Sequence, residues 1–184
     1  MTRVHVTLIA SLLLVCPLLA NAQEGPGCGP ANVKFDISTT KKQPLAPALQ
    51  AGKAFVYFLQ DDLKYNSSPR PTTRFGLDGA WVGATHANSY FYVAVDPGEH
   101  QVCANWQSDT TGLSWIGPKR STAAAEFTAE AGKSYYFRAE DIARRNEPNG
   151  PIISEPEVRL AAMEPAEAQV LVNSFSLSSS HPKK

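Results

Sequence analysis

The fold is decided by residues 74–83, which read RFGLDGAWVG. The central Asp78-Gly79 pair favours a type I′ turn, the two-residue turn that joins neighbouring antiparallel strands. Apolar residues alternate on either side of it, and this period-two pattern predicts a β-hairpin. The predicted register pairs Leu77 with Ala80, Gly76 with Trp81, and Phe75 with Val82. Trp81 then lies over a glycine, on the face opposite to Phe75 and Leu77.

Two further reversals follow the same pattern. The first joins residues 88–96 to residues 99–106 through Pro97-Gly98, and the second joins residues 123–129 to residues 133–139 through Ala131-Gly132. A two-residue loop at Pro97-Gly98 pairs Val95 with His100, Val93 with Val102, and Phe91 with Ala104. Those residues then face the core, and the opposite face receives Tyr90, Tyr92 and Cys103. A longer turn would shift the register and exchange the two faces.

The remaining periodic segments complete the fold class. Residues 54–59, AFVYFL, are apolar on both faces, which is typical of a central strand covered on both sides. Residues 157–162 alternate as a last strand, and Pro165 opens a short helix that runs to about Ser174. Seven or eight short strands predict an all-β, antiparallel two-sheet sandwich of the immunoglobulin or prealbumin-like type, with a short C-terminal helix.

Composition agrees with one soluble domain and excludes some functions. The 184 residues contain 17 Lys+Arg and 17 Asp+Glu, so the balanced charge disfavours a nucleic-acid binder. Apolar residues make up 43% of the chain and charged residues 18%, which is sufficient for a hydrophobic core. Fourteen Pro and 12 Gly indicate many turns rather than long helices.

The N-terminus has the pattern of a secretory signal peptide over residues 1–22. Arg3 precedes an apolar run, and Ala20-Asn21-Ala22 supplies the small residues required for cleavage. We expect no transmembrane span after cleavage, and an uncleaved anchor is the alternative. Lipid attachment at Cys16 is disfavoured because Val15 stands where lipidation signals have Gly or Ala. The product is expected in the periplasm or secreted.

The rest of the chain divides into three parts. Residues 23–51 form a Pro/Gly-rich arm with one extended piece at residues 33–37, residues 52–175 form the sandwich, and residues 176–184 form a flexible tail. Cleavage leaves two cysteines, Cys28 and Cys103, and an oxidising compartment favours a disulfide between them. The alternative is two free thiols. A loop of this length predicts a stabilisation of about 4 kcal/mol.

The sequence shows no catalytic motif. Residues 112–117, GLSWIG, miss the spacing of a serine nucleophile turn by one residue. No set of His, Cys or carboxylate residues has the spacing of a zinc site, so we expect no metal and no cofactor. An extracytoplasmic hydrolase remains the alternative, and it would use His86 and His100 with a carboxylate such as Asp61 or Asp96.

Aromatic residues are the remaining candidates for a site. Trp81, Tyr90 and Tyr92 are expected on faces opposite the core, and Trp115 lies in a loop. Exposed Trp and Tyr stack on sugar rings or anchor protein partners. These four residues are therefore the predicted ligand-binding set. The alternative is that a second sheet, the arm or the helix covers them.

Ordered pieces of the chain resemble a bacterial family, the domain of unknown function 2846 family. The similar pieces are residues 52–57 (GKAFVY), 88–92 (NSYFY), 95–100 (VDPGEH) and 131–137 (AGKSYYF). The resemblance implies a β-sandwich outside the cytoplasm, often lipid-anchored, and it supplies no catalytic residues. We therefore expect a non-catalytic binding module for an envelope protein or a glycan. A purely structural envelope component is a third hypothesis.

Overall fold

The computed structural model describes residues 28–41, 50–61, 72–107, 122–145 and 154–184. Side chains are described throughout these ranges except at residues 141–145 and 154–157. The predicted signal peptide, with Cys16, lies outside the described residues.

Ten strands and one helix lie in the described ranges. In chain order they are β1 (Phe35–Thr40), β2 (Ala54–Gln60), β3 (Thr73–Leu77), β4 (Ala80–Thr85), β5 (Ser89–Val95), β6 (Gly98–Trp106), β7 (Thr122–Ala129), β8 (Ser134–Arg145), β9 (Ser154–Ala162), α1 (Pro165–Ser174) and β10 (Ser176–Pro182). The predicted helix is confirmed at both of its ends.

The strands form two sheets. Sheet A has the order β1-β10-β5-β2-β8-β9, and sheet B has the order β4-β3-β6-β7. Most neighbouring strands are antiparallel, but β2 pairs parallel with β8, and β10 pairs parallel with β5. The predicted two-sheet sandwich with a C-terminal helix is confirmed, with these two parallel pairs as a departure.

The main core lies between the sheets and is rich in aromatic rings. Phe58 on β2 is fully buried, and its ring centroid lies 5.1 Å from those of Phe75 and Phe91. Val102 and Trp106 on β6 pack into the same cluster. Clustered aromatic rings of this kind supply much of the apolar burial that stabilises a small domain.

A second, smaller core lies on the outer face of sheet A. Phe55, Tyr57 and Leu59 alternate with the main-core residues of β2, and they pack under α1. Ala168 of the helix is fully buried there. Residues 54–59 are therefore apolar on both faces because helix and sheet B cover β2 from opposite sides.

The hairpin at Asp78-Gly79 follows the prediction at its turn and departs from it further away. Both turn residues have positive φ, 50° and 82°, as a type I′ turn requires. Leu77 pairs with Ala80 and Gly76 pairs with Trp81, as predicted. Phe75, however, pairs with Gly83 rather than Val82, because the register shifts between Phe75 and Gly76.

The other two predicted hairpins are wrong. β5 belongs to sheet A and β6 to sheet B, so the turn at Pro97-Gly98 carries the chain from one sheet to the other. The turn at Ala131-Gly132 does the same between β7 and β8. The predicted faces are nevertheless right for Phe91 and Val102, which both point into the core. Alternation fixes which face is buried, but it does not fix which strand is the neighbour.

The flexible tail predicted for residues 176–184 is also a wrong prediction. Ser176–Pro182 form β10, and its residues 177–182 pair with β1. β1 itself runs over Phe35–Thr40, further along the arm than the extended piece predicted at residues 33–37. These two segments are 141 residues apart at Ser38 and Ser179, and each supplies the other's strand partner.

Two serines of β10 connect it to the edge of sheet B. The Ser178 hydroxyl donates to the Ala84 carbonyl at 2.9 Å, and the Ala84 N–H donates to the Ser180 hydroxyl at 3.1 Å. These side chains satisfy edge groups of β4 that a neighbouring strand would otherwise satisfy.

Replacing Ser178 by Ala is expected to lower the free energy of unfolding by about 1–2 kcal/mol, because the buried Ala84 carbonyl loses its donor. Ser179→Ala is the matched control, since its side chain is exposed on the same strand. Urea denaturation of both variants measures the difference. An equal effect of the two substitutions would show that the hydroxyl bond does not stabilise the junction.

Candidate binding site

Trp81 lies on the outer face of sheet B under residues 28–31. Its indole Nε1 donates to the Pro30 carbonyl at 2.7 Å, and the Arg74 guanidinium lies 4.1 Å from its ring centroid. Gly29 approaches so closely that a Cβ there would stand 2.5 Å from the Trp81 ring. Trp81 is half-buried, and its described contacts hold the N-terminal segment in place.

Arg74, on β3 of sheet B, also holds the N-terminal segment, through the carbonyls of Ala31 and Val33. The side chain is 1% exposed, and its Nη1 donates to the Ala31 carbonyl at 2.9 Å and to the Val33 carbonyl. Its Nη2 donates to Asn105 Oδ1 at 3.2 Å. A planar guanidinium presents several donors at fixed angles, which suits it to bind two carbonyls and an amide at once.

The predicted disulfide is confirmed and completes this attachment. Cys28 is bonded to Cys103 on β6, and both are fully buried. The bridge, Arg74 and Trp81 therefore fix residues 28–34 across sheet B at three successive points.

Tyr90 and Tyr92 lie on the opposite side of the molecule, on the outer face of sheet A. Their rings surround Tyr57, whose centroid is 5.4 Å from Tyr92 and 4.8 Å from Tyr136. Burial, followed by the neighbouring Tyr136, Tyr92 and Tyr90, raises the pKa of Tyr57 to about 12. Burial likewise raises the pKa of Tyr90, which is only 3% exposed, whereas Tyr92 is half-buried.

The four predicted aromatics thus do not form one site. Trp81 and the tyrosine pair lie on different sheets, and Trp115 lies outside the described residues. Tyr90 belongs to the small core under α1. Of the described aromatics in the set, Tyr92 and Trp81 keep partial access to solvent.

His100 is engaged at both ring nitrogens. Its Nδ1 is 2.6 Å from Asp78 Oδ2, and its Nε2 is 2.8 Å from the Asp96 carbonyl oxygen. The ring also stacks on Phe127. His86 follows β4 at Thr85, so a strand of six residues, about 17 Å long, separates it from the turn that holds His100. The structure does not bring the two histidines together.

The carboxylates proposed with those histidines bind other side chains, although the backbone carbonyl of Asp96 contacts His100. Asp96 pairs with Lys53 at 2.8 Å. Asp61 is nearly buried and lies 3.5 Å from Arg138 Nε, and Arg138 also pairs with Glu140 and Glu167. This cluster lies beside the first turn of α1, and it holds the helix against β8.

The His100 pair predicts a pH-dependent stability. Partial burial lowers the pKa of His100, but the Asp96 carbonyl and the Asp78 carboxylate outweigh it, so the pKa is raised overall. A raised folded-state pKa adds stability below the ordinary value of 6.5, and this stability is lost as pH rises through the folded pKa.

The difference in unfolding free energy between the natural chain and Asp78→Asn is therefore expected to be larger at pH 5.5–6 than at pH 9. Asn is a suitable replacement because it also tolerates the positive φ of residue 78. Urea midpoints at the two pH values measure the effect. A difference that is unchanged between them would contradict a charged His100–Asp78 pair.

A cavity of about 420 Å³ lies where α1, β10 and the end of β1 meet. Five residues line it: Lys41, Asn173, Ser174, Phe175 and Ser176. Phe175 is one of these lining residues, and it also packs against the small core. Lys41, Asn173 and Ser174 are exposed around it. The lining residues therefore carry an aromatic ring together with amide, hydroxyl and ammonium groups.

Sequence reasoning missed this cavity. Phe175 reads as one more apolar residue of the helix, and residues 176–184 read as a tail. Lys41 comes to Ser176 only because β1 pairs with β10, with Thr40 beside Leu177. No local pattern in the sequence predicts the pairing of β1 with β10.

No group of three or more His, Cys, Asp or Glu residues in the described ranges is arranged to hold a metal ion. Among the same residues, no helix is long and apolar enough to cross a membrane.

Comparison with known proteins places the sequence in one family. A family model described as "Protein of unknown function (DUF2846)" matches residues 50–151, which include β2 to β8. No curated protein and no solved structure matches the chain.

Proposed function

This chain belongs to the DUF2846 family, whose function is unknown, and we propose from its geometry that it is a non-catalytic module that binds a glycan outside the cytoplasm. The observation that carries the proposal is the cavity of about 420 Å³, which is lined by one aromatic residue, Phe175, and four polar residues. Small-molecule sites in proteins are typically clefts of about 300–1,000 Å³ with a few convergent polar groups.

The lining has the chemistry that a sugar requires. An aromatic ring can stack on the C–H face of a pyranose, while amide and hydroxyl groups exchange hydrogen bonds with its hydroxyls. Asn173 and Ser176 supply those groups, and the Ser174 hydroxyl, which donates to the Leu171 carbonyl at 3.0 Å, can accept a hydrogen bond. We propose a neutral sugar rather than an anion, because the carbonyl end of a helix disfavours negative charge and so offsets the positive charge of Lys41. α1 ends at this cavity.

The same lining supports binding without hydrolysis. Glycoside hydrolysis ordinarily uses a pair of carboxyl groups on either side of the scissile bond. Lys41 is the one titratable side chain among the five residues that line the cavity. His100, named for the hydrolase alternative, has both of its nitrogens bound, so neither is left to serve as a general base.

The disulfide and the predicted signal peptide support an extracytoplasmic location. Disulfides form and persist in oxidising compartments and are rare in the cytosol. Cys28 and Cys103 both follow the predicted cleavage site at residue 22 in the sequence. The bridge between them therefore remains in the exported product. We therefore propose a periplasmic or secreted protein.

A glycan array of neutral mono- and oligosaccharides tests the function. The natural chain is expected to bind at least one sugar class, and Phe175→Leu is expected to weaken that binding at least tenfold. Leu keeps the packing against the small core and removes the stacking face. Asn173→Ala is a second variant at an exposed position, with a several-fold loss expected.

Val170→Ala is the matched control. Val170 is 66% exposed on the same helix and does not line the cavity. Its binding is expected to equal that of the natural chain. The proposal is contradicted if no neutral sugar binds, and the site is wrong if Phe175→Leu and Asn173→Ala bind as the natural chain does.

A further inference from the structure

The outer edge of sheet A is formed by β1, and its backbone groups alternate between two directions. The Lys183 N–H donates to the Lys34 carbonyl at 2.7 Å, so Lys34 faces β10. Asp36 and Ser38 face β10 as well, because backbone direction repeats every second residue of a strand. The N–H and C=O groups of Phe35, Ile37 and Thr39 therefore point away from the sheet.

The first of these outward positions is closed by a side chain. The Phe35 N–H donates to Gln107 Oε1 at 2.9 Å, and Gln107 Nε2 donates to the Phe35 carbonyl at 2.8 Å. This pair of bonds imitates a neighbouring strand for one residue. Ile37 and Thr39 have no such cap, and their outward groups make no hydrogen bond with the described part of the chain.

Edges left open in this way are uncommon, because a free row of backbone groups pairs with other chains. The edge of β4 shows the usual protection, since Ser178 and Ser180 cap Ala84. The open part of β1 carries no charged residue and no proline between Ile37 and Thr40. Ser38, Thr39 and Thr40 are exposed.

We propose that β1 pairs with β1 of a second copy of this chain, antiparallel and about a two-fold axis at Ser38. In that register Ile37 pairs with Thr39 of the second copy, and Thr39 pairs with its Ile37. Each such pair exchanges two N–H···O bonds, so four outward donors and acceptors on each strand are matched. The two six-stranded sheets become one sheet of twelve strands.

The shape of the edge favours a second copy over a longer foreign strand. Gln107 blocks the edge at Phe35, so a strand that continued past Ile37 would meet this side chain. β1 ends at Thr40. In the proposed register Thr40 of one copy lies opposite Asp36 of the other, one residue short of Phe35, where Gln107 closes the edge. Like charges directly opposite each other destabilise an antiparallel pair, and the proposed register places none in that arrangement.

Sedimentation equilibrium of the full chain tests the pairing. The natural protein is expected to show a concentration-dependent monomer–dimer equilibrium, and Thr39→Pro is expected to weaken it at least tenfold. Proline removes the outward N–H, and it is tolerated on a sheet edge because the bonds to β10 do not use that group. Thr39→Val keeps the N–H and is expected to dimerise as the natural chain does.

A cysteine pair tests the register itself. Directly opposed residues that do not exchange hydrogen bonds lie about 4.5 Å apart at Cα, within the range that a disulfide spans. Ser38→Cys is therefore expected to give a covalent dimer under mild oxidation. Ser179→Cys, on the neighbouring strand of the same face, is expected to stay monomeric.

The proposal would be overturned if the chain still sediments as a monomer at about 1 mM, a concentration at which a dimer with a Kd of about 1 mM is substantially populated. It would also be overturned by a dimer that Thr39→Pro leaves intact, or by equal cross-linking through Ser38→Cys and Ser179→Cys. These outcomes are independent of the glycan array, because none of the substituted residues lines the cavity.

Discussion

Replacing Cys28 and Cys103 together by serine is expected to lower the free energy of unfolding by about 2–5 kcal/mol. The bridge closes a loop of 75 residues, and removing it restores conformational freedom to the unfolded chain. Both cysteines are fully buried, so the serine hydroxyls would also lie in an apolar site. Urea denaturation of the natural and double-serine chains measures the loss.

The N-terminal segment is expected to loosen in the same variant. Trp81 would lose the cover of Gly29 and Pro30, and its fluorescence would shift to longer wavelength. Reduction of the natural chain without substitution is the matched control, and it should reproduce both effects. Unfolding at an unchanged urea concentration would show that the segment is held without the bridge.

Replacing Arg74 by Met is expected to cost about 3–5 kcal/mol. Met has similar length and apolar volume, but it leaves the carbonyls of Ala31 and Val33 without the donor they use now. Hydrogen bonds to a charged group contribute about 1.5–3 kcal/mol each, and the buried Asn105 side chain also loses this donor at its Oδ1. The measurement is again the free energy of unfolding, with the disulfide intact.

Arg74→Lys separates charge from geometry. A lysine keeps the positive charge but lacks the planar group that reaches two carbonyls and Asn105 together. We expect it to recover less than half of the lost stability. Full recovery by lysine would contradict the role given to the guanidinium shape.

The two effects are expected to be coupled. Cys28 and Arg74 both hold the N-terminal segment. When one substitution has already released this segment, the second substitution removes less further stability. The combined variant should therefore lose less stability than the two separate losses together. Strict additivity would indicate that the bridge and the guanidinium act independently.

The sequence predicted buried faces better than strand neighbours. Phe91 and Val102 are predicted on the core face from the period-two pattern of their strands, and both lie in the core. The pattern is the same whether β5 and β6 lie side by side in one sheet or face each other across the core. The structure has the second arrangement, so the predicted Val93–Val102 and Val95–His100 pairs are wrong although the faces are right.

The sequence also predicts strands poorly where the neighbouring strand is distant in the chain. Residues 176–182 read SLSSSHP, which has low strand propensity by itself. The segment becomes a strand because β1 and β5 lie on either side of it and Ser178 binds Ala84. Tertiary context therefore overrides local preference here.

The candidate site depends on the same distant pairing. The sequence predicts Trp81 and Tyr90 on faces away from the core, but α1 covers Tyr90 and the N-terminal segment covers Trp81. The cavity at Phe175 joins Lys41 to residues more than 130 positions away. Residue type alone could suggest an aromatic ligand site, but it could not place it.

An NMR titration with a neutral disaccharide that binds on the array tests the central claim most directly. Backbone amide signals of the natural chain would be followed as the sugar is added. The account predicts that the largest shifts fall at Lys41 and at residues 173–176, with Trp81 and the rest of sheet B unchanged. Shifts that cluster on sheet B, or that avoid Phe175, would contradict it.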